Sequence, residues 1–146
     1  MAVQLGLLDT NIFIHPLYAR DPHGPRCQAL LDAIEREEAE GWIDVAVVHE
    51  LTYALRRAPG FADRARIHTY IDKTLAMPRL LADDKDALIA ALGRWASEGI
   101  GFIDAWLATL ADRRGFSICS VNRQDFPVGL ENTFVTADLE QEEEGA

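Results

Sequence analysis

The sequence predicts an α/β domain built on a mainly parallel central sheet with helices on both faces. Three observations predict it. Short apolar runs alternate with longer helical segments along the chain, the pattern of strand–helix–strand units whose strands run parallel. The first run, residues 3–8, is apolar almost throughout rather than alternating, as expected of a strand buried on both faces. Neither an internal repeat nor a linker interrupts the 146 residues, so one domain accounts for them.

Taken in order, residues 3–8 read as the first strand, ending at Asp9-Thr10-Asn11, any of which could cap a helix over 12–18. The stretch 19–25 (ARDPHGP) is turn chemistry. A helix is expected from Pro25 to Glu40, with Cys27, Leu30, Leu31 and Ile34 as its apolar stripe and Gly41 as its stop. The β-branched run 42–48 predicts a second strand, followed by a helix carrying Glu50 and ending at Pro59-Gly60. A further helix is expected over 61–75, a short strand at 79–82, and a helix from a cap at Asp83 to about Trp95. Gly99 and Gly101 break that helix; the next spans 102–114 and ends at Gly115. Residues 116–121 read as a strand and 133–135 as a weak last one.

Hydrophobic residues make up 49% of the chain, enough for a core. No apolar run is long enough to span a membrane. Residues 1–5 lack the basic start of a secretory signal. Two cysteines, Cys27 and Cys119, make neither a disulfide framework nor a zinc set, and a cytoplasmic setting is expected. The net charge of −10 argues at first against a nucleic-acid partner. Its distribution weakens that exclusion. The segment 139–146 is an acidic tail expected to be disordered, and it holds four of the acids. Four more are the site candidates below, which leaves about −2 elsewhere.

Those candidates are Asp9, Glu50, Asp104 and Asp125. Each sits beside apolar residues: Leu7-Leu8 and Ile12-Phe13, Val47-Val48 and Leu51, Phe102-Ile103 and Trp106, and Phe126. An ionised carboxylate against a core is costly unless a cation or strong hydrogen bonds compensate. Acids gathered together repel, a divalent ion relieves the repulsion, and oxygen-only ligands suit Mg²⁺ or Mn²⁺ better than zinc. Each acid also has a plain structural role open to it. Asp9 could simply cap a helix, Glu50 and Asp104 could be acids favoured by a helix start, and Asp125 could open a turn with Pro127. In a parallel sheet, ligands bind beyond the carboxyl ends of the strands where strand order reverses. Asp9 and Asp125 each follow an expected strand.

The segments around these acids resemble the PIN-domain nucleases. Residues 7–14 (LLDTNIFI) are similar to the opening motif of that family, and 47–51 (VVHEL) to the second, with its helix-borne Glu. Residues 101–111 (GFIDAWLATLA) resemble the third motif, and 116–126 (FSICSVNRQDF) the fourth. The ordered set covers about residues 3–136, and the short chain resembles the VapC-type toxins of toxin–antitoxin pairs. Two departures stand out. Asn122 occupies a position where many members carry an acid, with Asp125 three residues on. Ser120 stands where Thr is commoner, though its hydroxyl can still bond a ligand.

The resemblance implies a single PIN-like domain over 1–138. It implies a Mg²⁺-dependent endoribonuclease that leaves 5′-phosphate and 3′-hydroxyl ends, with Asp9, Glu50, Asp104 and Asp125 as catalytic metal ligands. Thr10, Asn11, Ser120 and Asn122 would orient them. It also implies a homodimer and an antitoxin partner. RNA could be held by Arg57, seven residues after Glu50 and on the same helix face. Arg56, Arg64 and Arg66 lie nearby, and Arg123 belongs with Arg113 and Arg114 in a second group. Pairing of these cations with nearby acids is the plainer reading. His15, His23, His49 and His68 share no ligand spacing and are expected at or near the surface. Three other functions remain: a stand-alone PIN nuclease for RNA processing or DNA flaps, a metal-free PIN-like protein-binding module, and an aspartyl phosphatase. The last is disfavoured because 9–13 (DTNIF) lacks the second Asp of that motif.

Overall fold

The computed structural model describes residues 1–120. Two compact units make up the chain, residues 1–89 and 90–146. In the first, β1 (Val3–Leu7) leads into α1 (Thr10–Ile14) and a 3-10 turn (His15–Leu17), then α2 (Gly24–Glu35) and β2 (Ala39–Trp42). After these come α3 (Val45–Ala54), a second 3-10 turn (Leu55–Arg57), α4 (Arg64–Leu75) and β3 (Leu80–Leu81). Helix α5 (Lys85–Glu98) begins in the first unit and ends in the second, which also holds α6 (Phe102–Arg114).

The three strands are all parallel and lie in the order β1-β2-β3, with Leu7 opposite Trp42 and Trp42 opposite Leu81. The α/β class and the parallel sheet are therefore as the sequence predicts, but β1 is not the doubly buried strand expected: none of its residues is buried, and Val3 and Leu7 are exposed among the described residues. One face of the sheet is core: Ala39, Ile43 and Leu80 are buried, α2 packs against β2, and α4 packs against β3. Helix α4 meets it with Ile67, Ile71 and Leu75, spaced by four along one stripe. Strand order does not reverse among the described strands, so the reversal expected to mark the site is not found there. Asp9 still follows the carboxyl end of β1.

Several boundaries differ from expectation, each for a local reason. The second strand is residues 39–42, not 42–48, and Val47 and Val48 are helical. Asp44 accepts a hydrogen bond from the Ala46 amide and caps α3, and burial of Val48, Leu51, Thr52 and Leu55 at helical spacing outweighs the β-branched propensity. Gly41 does not end α2 but lies within β2. A β-carbon there would lie 3.0 Å from the side chain of Leu8, just past the end of β1, so any larger residue would have to displace buried Leu8.

The helix instead ends at Glu35 and is closed by Glu37, at φ 62°. The Glu37 amide bonds the Ile34 carbonyl and the Glu38 amide bonds the Ala33 carbonyl. This is a Schellman turn with glutamate in the left-handed position. Relief of that strain, about 1–2 kcal/mol, exceeds the added chain entropy of a glycine, roughly 0.5–1 kcal/mol. Glu37→Gly is therefore expected to stabilise the protein by about 0.5–1 kcal/mol, seen as a higher urea midpoint at unchanged slope.

Similar capping shifts occur elsewhere. Asp63 starts α4 at Arg64 rather than at residue 61, and the Asp84 carboxylate, not that of Asp83, caps α5 through the Ala87 amide. Pro16 lies in the 3-10 turn that closes α1 early. In the second unit, Ala105, Ala108, Thr109 and Ala111 are buried along α6, Asp112 pairs with Arg94 at 3.3 Å, and Gly115 ends the helix at φ 65° as expected. Residues 116–120 carry no strand, contrary to expectation; Ile118 instead packs on Ala108 and Ala111. Val121 and the weak strand at 133–135 lie outside the described residues. Among those described, no helix is long and apolar enough to cross a membrane.

Candidate active site

The site grows from the end of β1. Asp9 is the N-cap of α1, its extended backbone (φ −76°, ψ 155°) turning the chain so that Oδ1 accepts a hydrogen bond from the Thr10 amide at 2.7 Å. Thr10 and Phe13 are the buried residues of α1. From that position the Thr10 hydroxyl donates to Glu50 Oε2 at 2.6 Å. One residue thus links an acid at the end of β1, through its amide, to an acid on α3, through its hydroxyl, 41 residues apart in sequence. Both acids remain exposed, and Asn11 is exposed beside them on α1.

Glu50 sits in the second turn of α3, one turn further in than expected, and borders a depression of about 400 Å³ lined also by Tyr53, Ala54, Arg56 and Arg57. The Arg56 guanidinium lies over the Tyr53 ring, 5.3 Å from its centroid. The His49 ring meets the same tyrosine edge-on, with centroids 5.2 Å apart and planes at 88°. Tyr18 fastens this corner by donating its hydroxyl to the Arg57 carbonyl at 3.2 Å. Neither Arg56 nor Arg57 forms an ion pair among the described residues, so the pairing considered for them is not made there. Burial, together with the neighbouring Arg56, holds the Arg64 guanidinium below its ordinary pKa.

Asp104 belongs to the second unit. It is half-buried in the first turn of α6, where the helix dipole favours an acid. Gly101 caps that helix without a side chain, and a β-carbon there would lie 3.3 Å from Asp104 Oδ2. Ser120 is half-buried. Asn122, Arg123 and Asp125 lie outside the described residues. Among those described, no three Asp, Glu, His or Cys side chains form a group able to hold a metal ion. The Asp9–Glu50 pair does suit a hard cation, because Mg²⁺ is commonly held by one or two carboxylates, with water and substrate phosphate completing its shell.

Sequence reading missed two features. Tyr53 lies three residues from both Glu50 and Arg56, a helical spacing that could have revealed it. The His15 ring bonds the Asp21 carboxylate and stands edge-on to His23 at 5.3 Å. That bond, with a second from the His23 amide, holds the Asp21 carboxyl below the usual range.

A parallel sheet thus delivers an aspartate from its first strand to a helix cap, linked through Thr10 to a glutamate on the helix after the second strand. The family model for the PIN domain matches residues 6–127, most of the chain and parts of both units, and the protein belongs to that family. PIN domains are generally nucleases, typically bind divalent metals and act on nucleic acids. No curated protein and no solved structure matches the sequence.

Proposed function

We propose that this protein is a Mg²⁺-dependent endoribonuclease and the toxin of a toxin–antitoxin pair. The observation that carries the reading is the Asp9–Thr10–Glu50 junction, where Thr10 donates its amide to one exposed acid and its buried hydroxyl to the other, beyond the end of a parallel strand. Asp9, Glu50, Asp104 and Asp125 are the residues that would hold the metal, with Mn²⁺ an alternative to Mg²⁺. When bound, such an ion lowers the pKa of a coordinated water and offsets charge on the phosphate.

The chain's own contribution is positioning. Asp9 spends one carboxylate oxygen on its cap and keeps the other available. Thr10 sets the orientation of Glu50. Asn11, Ser120 and Asn122 would align the acids, and Arg57 and Arg123 would hold the RNA backbone. A homodimer, a cytoplasmic location and inhibition by a separately encoded antitoxin belong to the same reading. A small gene beside this one, encoding a protein that binds it and blocks cleavage, would separate the toxin from a stand-alone PIN nuclease.

The direct test incubates purified protein with single-stranded RNA and Mg²⁺, with and without EDTA. Cleavage that EDTA stops supports the proposal. Intact RNA, together with no heat on titrating Mn²⁺, overturns it in favour of a binding module. Thr10→Val keeps the buried shape and removes only the hydroxyl. It is expected to cost about 1 kcal/mol of stability, because exposed Glu50 is simply rehydrated. Its cleavage should fall roughly 10–100-fold, as when a partner of a metal ligand is lost. An equal rate in Thr10→Val would show that the junction does not position Glu50.

A further inference from the structure

The depression beside Glu50 contains more than a metal-ligand acid requires. We propose that it is a subsite for one unpaired nucleotide of single-stranded RNA, with Tyr53 as the platform for the base and Arg56 and Arg57 as the holders of the adjoining phosphates. The proposal rests on the nuclease reading for its substrate, but its geometry is independent of the metal.

Glu50, Tyr53, Ala54 and Arg57 fall at spacings of three, four and seven, so one side of α3 and its 3-10 extension presents acid, ring and cation together. The volume of about 400 Å³ lies within the range of sites that take a small organic group. The charges are arranged for an anion from outside. Arg36, Arg79 and Arg94 pair with Glu38, Glu40 and Asp112, whereas Arg56 and Arg57 have no such partner among the described residues. Glu50 lines the same depression but gives an oxygen to Thr10 instead. Arg64, whose pKa is lowered first by burial and then by the neighbouring Arg56, adds a third positive charge near Arg56.

The ring is the informative part. Tyr53 is 52% exposed, yet its orientation is fixed by Arg56 over it and His49 at its edge. An exposed aromatic held still between a cation and a second ring is poor surface chemistry unless something stacks on it. Bases do so without regard to sequence, and Arg–aromatic pairs strengthen such platforms. A duplex keeps its bases inside the stack and out of reach, so the platform selects unpaired RNA.

The experiment measures anisotropy of a labelled, non-self-complementary RNA oligonucleotide against the full-length protein in EDTA, over a series of salt concentrations. The same strand in duplex form is measured in parallel. Tyr53→Ala is expected to weaken single-strand binding about tenfold at every salt concentration, and Tyr53→Phe to bind as the parent does. Arg57→Ala should weaken binding and flatten the slope of log affinity against log salt by about 0.7. Duplex should bind more weakly than single strand and ignore Tyr53→Ala. Equal affinity for both forms with Tyr53→Ala silent would mark a general polyanion patch and overturn the proposal. Because EDTA removes catalysis, a protein that shows the expected binding pattern but never cleaves RNA keeps this subsite and loses only the nuclease reading. A cleaving enzyme whose KM is untouched by Tyr53→Ala keeps the nuclease reading and loses the subsite.

Discussion

Asp9→Asn is expected to abolish the proposed Mg²⁺-dependent RNA cleavage and to leave the fold standing. The two halves of that result have separate causes. Asparagine caps a helix about as well as aspartate, so the Thr10 amide keeps its acceptor and α1 keeps its start. What disappears is the anionic charge, and with it half of the acid pair joined through Thr10. Loss of an outer partner of a metal ligand already costs roughly 10–100-fold in metal affinity or activity. Loss of a ligand's charge should cost more than about 100-fold by the same measure. The comparison variant is Asp9→Ala, which removes charge and cap together and should also lose about 1 kcal/mol of stability. The assay is initial cleavage rate beside a thermal melt of both variants. An active Asp9→Asn enzyme would remove Asp9 from the metal site whatever the melts show.

Phe13→Ala is expected to have the largest effect on stability. Phe13 is fully buried, and its carbonyl accepts a hydrogen bond from the Tyr70 hydroxyl at 2.7 Å. Burial also pushes the Tyr70 pKa up to about 12, so this donor stays protonated across the whole working range. Truncating a buried phenylalanine costs about 3–5 kcal/mol, a large share of the roughly 5–15 kcal/mol that stabilises a typical domain. Helix α1 has five residues, too few to persist without its packing. The acid junction beyond it should therefore loosen before the chain unfolds globally. Urea denaturation followed by circular dichroism reads the first effect, and activity at low temperature, where the variant remains folded, reads the second. A denaturation midpoint within error of the parent's would show that α1 is not held through Phe13.

Much of the fold was legible because its signals are local and strong. The strand at 3–7, the aspartate cap after it and the glycine ending α6 follow from periodicity and capping chemistry alone. The second strand was misplaced because Val45, Val47 and Val48 favour a strand by type, while Asp44 and the burial spacing of the following residues decide for a helix. The end of α2 was misplaced because glutamate is not a usual residue for a left-handed position. Nothing in composition announces Glu37. Of the expected site, the junction of Asp9 and Glu50 depends on Thr10, whose buried hydroxyl is a tertiary fact invisible to any window of sequence. Tyr53 was overlooked for a different reason: an aromatic on a helix ordinarily belongs to the core, and only exposure distinguishes this one.

Strands β1, β2 and β3 are neighbours in the sheet in the same order as in the chain. A polypeptide leaving the ribosome amino end first can therefore lay each strand against one already in place, without waiting for a later segment to slip between two earlier ones. Asp9, Thr10 and Glu50 all fall within the first 54 residues, by the end of α3. Biogenesis can thus bring the acid pair together once α4 has supplied the Tyr70 hydroxyl that holds α1, while α5 and α6 are still to follow.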